Sequence, residues 1–526
     1  MSSELIQALQ DATLYDHPVR DFQLVETHIS WIILTGEYAY KIKKPMNFGF
    51  LDFSSLDSRR HFCHKELELN RRLAPALYLD VLPITGSPAS PQLGGSGEPF
   101  EYAIKMRQFD QEQLLDRIQA RGELTLAHLD ELSDGIARFH QQIAQADPAS
   151  EFGQPDQAFF PVQQNFDQIR PLLSDEDDLK RLAQLEAWAQ ASFERLRPVL
   201  AQRKANGFIR ECHGDIHLGN ITVVDGHVTL FDCIEFNEAF RWTDVMCDIA
   251  FLIMDLESRG LNLQANHVIN RYLEQTGDYE GMAVLVFYKA YRAMVRAKVA
   301  LLTKGAPGLN AEALAQLHET YRGYAELAES YTFVPSRCLL ITHGVSGSGK
   351  STLTSQLVDR LGLIRLRSDL ERKRLHGLTA LDRSGSELDG GIYTANATEA
   401  TYQRLADLAN RLLSQGYAVV VDATFLRHAQ RKLLELVAED QGVAFAILTC
   451  EAELETIQNW IQAREASQQD ASEAGLQVLE KQLQERDPLQ GEELTHQIVA
   501  RTDQPETLEP LLVRLGQRLT LSVANA

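Results

Sequence analysis

A chain of 526 residues, 44% of them hydrophobic, holds material for about three packed units. Its 51 Lys and Arg stand against 73 Asp and Glu, and the resulting charge of −22 argues against broad electrostatic binding to nucleic acid or anionic membrane. Cys63, Cys212, Cys233, Cys247, Cys338 and Cys450 form no C-x-x-C pair, which suits reduced thiols rather than a disulfide frame or zinc site. The start Met1-Ser2-Ser3-Glu4 has no basic or apolar leader, and no run approaches a membrane span, so a cytoplasmic protein without a membrane partner is expected.

From the start, Trp31-Ile32-Ile33-Leu34, Thr35-Gly36-Glu37 and Tyr38-Ala39-Tyr40-Lys41-Ile42-Lys43 read as a β-hairpin. Ala39, Lys41 and Lys43 then share one face of the second strand, with Tyr40 and Ile42 on the other. Residues 57–73 have helical character and carry Glu66. A strand lysine followed by a helix glutamate is an arrangement that holds nucleotide phosphates, although such residues are also common on solvated surfaces. Another strand is expected over 99–106.

Helical periodicity dominates residues 110–330, as in Leu129, Leu132, Ile136, Phe139 and Ile143. It is broken by Glu211-Cys212-His213-Gly214-Asp215-Ile216-His217-Leu218-Gly219-Asn220. Two short strands follow, joined by Asp225-Gly226, a strong two-residue hairpin signal. Centring the turn there pairs positions that sum to 451, so the hairpin brings Asn220 and Asp232 to one end, a few residues from Asp215. An amide oxygen and a carboxylate suit Mg²⁺, and a nearby carboxylate can deprotonate an acceptor hydroxyl. His213 and His217 read as hydrogen-bonded loop residues; with no helix to carry them and no third ligand, zinc is rejected. Lys289, Arg292 and Arg296 fall near one helix face, as a solvated face or as contacts to an anionic acceptor.

These residues resemble the aminoglycoside phosphotransferase and choline kinase relatives of protein kinases. The resemblance implies Asp215 as catalytic base, Asn220 and Asp232 as metal ligands, and Asp248 as the brace of the catalytic loop. It implies Lys41 as the phosphate lysine, with Lys43 as the alternative, and Glu66 as its partner. Cys233-Ile234-Glu235 departs from the commoner Phe/Gly continuation, and the strict glycine-rich loop of that family is missing.

After Tyr331 to Ser336 the pattern changes. Cys338-Leu339-Leu340-Ile341-Thr342 is a strand, Gly344-Val345-Ser346-Gly347-Ser348-Gly349-Lys350-Ser351-Thr352 fits G-x-x-x-x-G-K-[ST], and Leu353, Leu357 and Leu361 follow at helical spacing. Strand, glycine loop and helix together predict a nucleoside triphosphate site. Gly344, Gly347, Ser348, Gly349 and Thr352 shape the cradle, Lys350 reaches the phosphates, and the Ser351 hydroxyl is placed for Mg²⁺. Further strands are expected over 363–366, 417–421, 445–448 and 496–499, alternating with helices, hence a parallel sheet with ligand at its C-terminal edge. At those strand ends Asp369 can activate a hydroxyl and Arg372 clamp a phosphate, against the alternative of a helix cap with a surface arginine. Asp422 is placed to hold Mg²⁺, and Arg464 precedes a polar segment, 466–473, that reads as a lid.

This half resembles the small P-loop kinases related to polynucleotide kinase, gluconate kinase and zeta toxins, through Asp369-x-x-Arg372 and Asp422-Ala423-Thr424. The fusion resembles bacterial proteins described as bifunctional aminoglycoside phosphotransferase/ATP-binding proteins. The expected fold is thus multidomain, α+β and α/β: a bilobal protein-kinase-like domain over 1–330 (N-lobe to about 106) and a P-loop, AAA-like ATP-binding domain over 331–526. The expected function is a kinase using ATP and Mg²⁺ at two sites on small-molecule hydroxyl acceptors. A regulatory sensor role for the first half, and action on nucleic-acid ends, are the alternatives.

Overall fold

Alternation along one strand organises the first half of the molecule. The chain is described here by a computed structural model over residues 2–47, 49, 51–305, 308–380, 382–386, 390–467, 472–504 and 508–521. Strands β1 Gln23–Glu26, β2 Ser30–Leu34, β3 Tyr38–Lys43, β4 Tyr78–Ser87, β5 Ser90–Leu93 and β6 Glu101–Arg107 form an antiparallel sheet in the order β1-β2-β3-β6-β4-β5. On β3, Tyr40 and Ile42 pack with Leu5 and Ile6 of helix Ser2–Ala8, and with Leu9 just after it, on one face. Ala39 faces Cys63 and Leu67 of helix Leu56–Asn70 on the other. Lys41 and Lys43 share the Ala39 face, so the pleat alone turns both lysines toward that helix. The helix is started by Ser55, whose hydroxyl accepts the Ser58 N–H.

The catalytic segment lies between β7 Ile209–Glu211 and the hairpin β8 Ile221–Val224 with β9 His227–Leu230. Val224 pairs with His227 and Ile221 with Leu230, the register expected from Asp225-Gly226. Both turn residues have positive φ, 52° and 84°, as a type I′ turn requires. β10 Trp242–Asp244 pairs antiparallel with β7. This unit comprises Met1–Gln164 and Arg197–Asp255.

The second unit comprises Asn165–Leu196 and Leu256–Ala526. Its sheet is wholly parallel: β11 Cys338–His343, β12 Ile364–Arg367, β13 Val419–Asp422, β14 Ala444–Glu451 and β15 Gln497–Arg501, in the order β12-β13-β11-β14-β15. β12 to β15 overlap the four segments expected after the P-loop strand. Every residue of β11 is buried, and Leu340, Val420, Ala446 and Leu448 share a core with Leu357 and Leu361 of helix Lys350–Leu361. A fully buried Leu in such a core contributes about 1.5–3 kcal/mol. The connection leaving β11 runs toward β12 and that leaving the neighbouring β13 runs the other way, toward β14, so the two diverge between these strands. That is where open parallel sheets hold their ligands.

Compactness groups the helices from residue 256 onward with this sheet, whereas the change from helix Ala311–Ser330 to β11 marks the sequence boundary near 331. Helix Asn262–Thr276 lies along the outer edge of β12. Its Asn270 amide donates to the Leu363 carbonyl (2.9 Å) and accepts the Arg365 N–H (2.8 Å), standing in for a further strand. On helix Met282–Thr303, Lys289 pairs with Glu257 at 2.7 Å and Arg292 is buried, so these cations do not form a solvated face. Among the described residues no helix is long and apolar enough to cross a membrane.

Candidate active sites

In the first unit the two lysines of β3 meet one glutamate. Glu66, fully buried, receives Lys41 Nζ on Oε1 (2.7 Å) and Lys43 Nζ on Oε2 (2.6 Å). Lys41 also reaches Asp232 Oδ1 at 2.5 Å, and Lys43 reaches Glu235. Burial opposes the charge on Lys41, but the carboxylates of Asp232 and Glu66 outweigh it and hold its pKa well above the ordinary lysine range. Burial also acts against the Glu66 carboxylate, and two cations overcome it, leaving its pKa lowered. The Glu235 carboxyl meets one cation, Lys43, among the described residues; there burial wins and it titrates above its usual range. Lys41 and Asp232 open onto a cavity of about 210 Å³ whose other walls include Ile32, Leu34, Ala39, Met106 and Phe231, an apolar slot of the kind that accepts a planar base. Lys43, fully buried, does not line it. Of the two lysines, Lys41 is the one with access to the cavity.

The loop over 213–220 is held from behind by one helix, Val245–Ser258. Asp248 accepts the N–H groups of His213 (2.9 Å) and Gly214 (2.8 Å) and contacts His140 Nε2 (3.2 Å). Two helical turns on, Asp255 accepts the Leu218 N–H at 3.0 Å. Asp255 was not singled out from the sequence; its i, i+7 relation to Asp248 was the available signal. His213 Nε2 lies 3.0 Å from the Phe231 carbonyl and Nδ1 accepts the Asp215 N–H (3.3 Å), which assigns the Nε2–H tautomer. Burial lowers its pKa, so it is a neutral structural residue with both nitrogens engaged. Asn220 Nδ2 donates to Asp215 Oδ2 (2.9 Å) and to the Asp215 carbonyl (3.0 Å). The amide thus orients the carboxylate of Asp215, while Asn220 and Asp232 line the same cavity. The Cys233 N–H donates to Asn70 Oδ1 at 2.8 Å, tying this segment to helix Leu56–Asn70. The Cys233-Ile234-Glu235 departure therefore leaves Asp232 in place on Lys41.

In the second unit one cavity of about 900 Å³ is lined by Lys350, Ser351, Thr352, Asp369, Asp422 and Arg464, with Gly347 and Gly349. Gly349 has φ 79°, and a Cβ there would meet Thr502 Cβ at 2.8 Å. Lys350 Nζ donates to the Val345 carbonyl (2.7 Å) within its own loop, and burial lowers its pKa against the partial support of Asp422. Asp422 Oδ2 accepts from Thr354 Oγ1 at 3.2 Å. Gly344 shapes the turn, its N–H donating to the Thr424 carbonyl (3.1 Å), and Ser348 is buried beneath the loop. Asp369 lies in the first turn of helix Ser368–Leu375, whose N-cap residue is Arg367 and which has no side-chain cap, so the helix-cap alternative for Asp369 does not apply.

Arg372 is placed differently from the other expected residues. It is buried, donates to the Ile392 carbonyl (2.9 Å) and Thr398 Oγ1 (3.1 Å), and lies over the Tyr393 ring rather than lining the cavity. Arg464, near the end of helix Leu454–Ser467, donates to the Ala474 carbonyl. Residues 468–471 of the expected lid lie outside the described residues; at its far end Glu473 accepts from Ser384 N–H (3.0 Å) and Oγ (2.6 Å). Sequence reasoning missed Trp460, one turn before Arg464 on the same helix, and Arg501 at the C-terminal end of β15, both in the cavity wall. It also missed Gln482 of helix Leu476–Glu485. Gln482 Oε1 accepts the Ser346 N–H at 2.7 Å, and its Nε2 donates to Ser346 Oγ at 3.0 Å. Nothing in the local pattern marks Gln482, because the partner lies 136 residues away.

Residues 52–285 match the family model described as "Phosphotransferase enzyme family", and residues 339–489 match that described as "AAA domain". Uncharacterized proteins of Mycobacterium tuberculosis and Mycobacterium bovis are each 29% identical over 467 residues, covering 88% of this chain and 91% of the relative. Similar solved structures include a choline/ethanolamine kinase family protein from Mesorhizobium loti, 11% identical over 62% of this chain and 99% of that one, with a TM-score of 0.37. A sugar kinase from Janibacter sp. is 22% identical over 36% of this chain and 96% of that one, with a TM-score of 0.28. The chain thus joins a protein-kinase-like phosphotransferase domain to a P-loop AAA domain with a parallel sheet. It is a phosphotransferase of the kinase class.

Proposed function

We propose that the chain is a bifunctional ATP- and Mg²⁺-dependent phosphotransferase, in which each site moves a γ-phosphate to a hydroxyl of its own small-molecule acceptor. One observation carries the reading: each of two separate cavities combines a lysine with oxygen donors, and each has a carboxylate suited to act as base, Asp369 in the wall of the second and Asp215 bonded to Asn220 behind the wall of the first. The donor sets fit a hard cation. Asn220 with Asp232 in one cavity, and Ser351 with Asp422 in the other, offer only oxygen to a metal. Mg²⁺ would neutralise charge on the phosphates at both sites.

In the first site Lys41 exchanges its contact with Asp232 for phosphate oxygens, while Glu66 keeps its ammonium oriented. Asp215, held by the Asn220 amide, takes the proton of the acceptor hydroxyl as its oxygen bonds to the γ-phosphorus and the bond to the β-phosphate oxygen breaks. In the second, Lys350 leaves the Val345 carbonyl for the phosphates, whose negative charge offsets the burial that lowers its pKa. Asp369 receives the acceptor proton and Arg464 faces the charge that develops, while Arg372 ties Ile392 to Thr398 outside the cavity wall. The position of Asp232 on Lys41 favours a working first site over a sensor, and the charge of −22 disfavours nucleic-acid ends as acceptors.

The test is a γ-phosphate transfer screen over sugars, amino alcohols, nucleosides, nucleotides and 5′-hydroxyl oligonucleotides with the full chain, Lys350→Ala and Asp215→Ala. Each substitution should abolish transfer to one acceptor class and spare the other. Loss of all transfer and of all nucleotide binding in Lys350→Ala alone would leave a single site.

A further inference from the structure

Helix Asn262–Thr276 lies outside the P-loop sheet and its motifs, yet it sends one carboxylate toward them. Glu274 is buried, and its Oε1 accepts from Arg365 Nε at 2.7 Å while Oε2 lies 3.6 Å from Arg367 Nη1. Arg365, buried on β12, directs Nη1 at the first turn of the P-loop helix. Its Nη1 donates to the Ser351 carbonyl (3.1 Å) and to Thr354 Oγ1 (3.3 Å). Thr354 Oγ1 is in turn 3.2 Å from Asp422 Oδ2. Glu274, Arg365, Thr354 and Asp422 thus form a continuous hydrogen-bonded line, with a branch to the backbone of Ser351. It ends on the two residues that offer oxygen to a cation in this cavity.

We propose that Glu274 is a positioning residue for the cation end of the P-loop site, acting through the buried guanidinium of Arg365. The proposal rests on the reading of Ser351 and Asp422 given above. Arg365 needs an anionic partner to stay buried, and Glu274 supplies it on the side away from the cavity. A planar guanidinium fixed at Nε has its Nη1 direction set, so Glu274 determines where the donor meets Thr354 and the Ser351 carbonyl. Thr354 Oγ1 lies 3.2 Å from the Ser351 carbonyl as well as from Asp422 Oδ2, and with Arg365 Nη1 donating to that carbonyl the single hydroxyl proton is left for Asp422. Arg367, the second partner of Glu274, lines the cavity two residues before Asp369, so the same carboxylate also steadies the start of the acceptor strand end. Thr354, bonded directly to Asp422, is of the kind whose replacement changes metal affinity by about 10–100-fold, and Glu274, two contacts further out, is expected at the low end of that range.

The test is isothermal titration of the full chain with ATP, with and without Mg²⁺, following the component that Lys350→Ala removes. Glu274→Gln should weaken Mg·ATP at that component about tenfold while changing Mg-free ATP less than about twofold. Without nucleotide, amide exchange over 350–354 should rise. A second variant, Glu274→Leu with Arg365→Met, removes both buried charges and so separates positioning from folding. It should melt near the parent temperature and still bind Mg·ATP weakly. Unchanged Mg·ATP affinity in Glu274→Gln, or recovery of that affinity in the double variant, would overturn the proposal while leaving the P-loop site intact. Absence of any Lys350-dependent ATP binding in the parent chain would instead overturn the reading of the site, and the proposal with it.

Discussion

Lys41 and Lys43 occupy alternate positions on one strand face, and Glu66 divides its two oxygens between them. Their spacing in the sequence is compatible with either as the phosphate ligand; burial separates them, because only Lys41 lines the cavity. Lys43→Met leaves Glu235 buried without its cation and Glu66 with one. It should lower stability by about 3–5 kcal/mol, read as an earlier first transition in urea, whereas Lys41→Met should mainly abolish Mg·ATP binding at this site. His343, at the end of β11, is buried, and neither ring nitrogen has a hydrogen-bond partner among the described residues. Burial, with Arg431, Arg486 and Lys350 nearby, pulls its pKa down to about 4. The unfolded chain takes up the proton near pH 6.5, so the contribution of His343 is present above that pH and is lost as pH falls toward 4. The expected loss is about 2 kcal/mol between pH 7 and pH 5, and His343→Leu should flatten that part of the stability profile. No sequence pattern announces this, since a histidine before a P-loop looks the same whether exposed or buried.

At the scale of elements, the hairpin and the P-loop were legible because their signals are local. Asp225-Gly226 specifies both positive φ values and therefore the register that delivers Asn220 and Asp232. The glycines, Lys350 and Ser351 lie within nine residues and need only a strand before them and a helix after. The support of that loop is remote. Helix Leu476–Glu485 packs Leu479 against Val345, Ile457 and Ile461, and Gln482 satisfies the Ser346 N–H that the loop exposes. Gln482→Ala should leave that buried donor unpaired, at about 1–3 kcal/mol, and weaken the Lys350-dependent ATP component by about tenfold or more in titration. An unchanged affinity would mean that the loop is held by Leu479 and its neighbours alone.

At the scale of the whole molecule, the second unit is larger than its motifs suggest. The family match begins at residue 339, yet Asn270 pairs the edge of β12, Tyr279 Oη donates to the Arg365 carbonyl (3.1 Å), and Tyr417 Oη donates to the Met282 carbonyl (2.8 Å). A piece starting at 331 would expose the β12 edge and leave Arg365 without Glu274. Such edges pair with other chains and aggregate. The expected outcome is a lower melting temperature and more light scattering for 331–526 than for 256–526 at equal concentration. Helical periodicity between 256 and 330 shows amphipathic helices but not which surface they cover, so this extension could not be read in advance.

The sequence by itself determined two motifs: a glycine loop with its lysine, and an Asp215, Asn220 and Asp232 set around a hairpin. Those features depend on backbone conformations and residue types encoded within a few positions of one another. Tertiary structure alone decided which of two lysines reaches the cavity, that Arg372 braces a turn instead of lining the pocket, and that Glu274 lies behind the P-loop. Each of these depends on burial and on partners distant in sequence, and a buried charge is placed by whatever surrounds it, not by its neighbours along the chain.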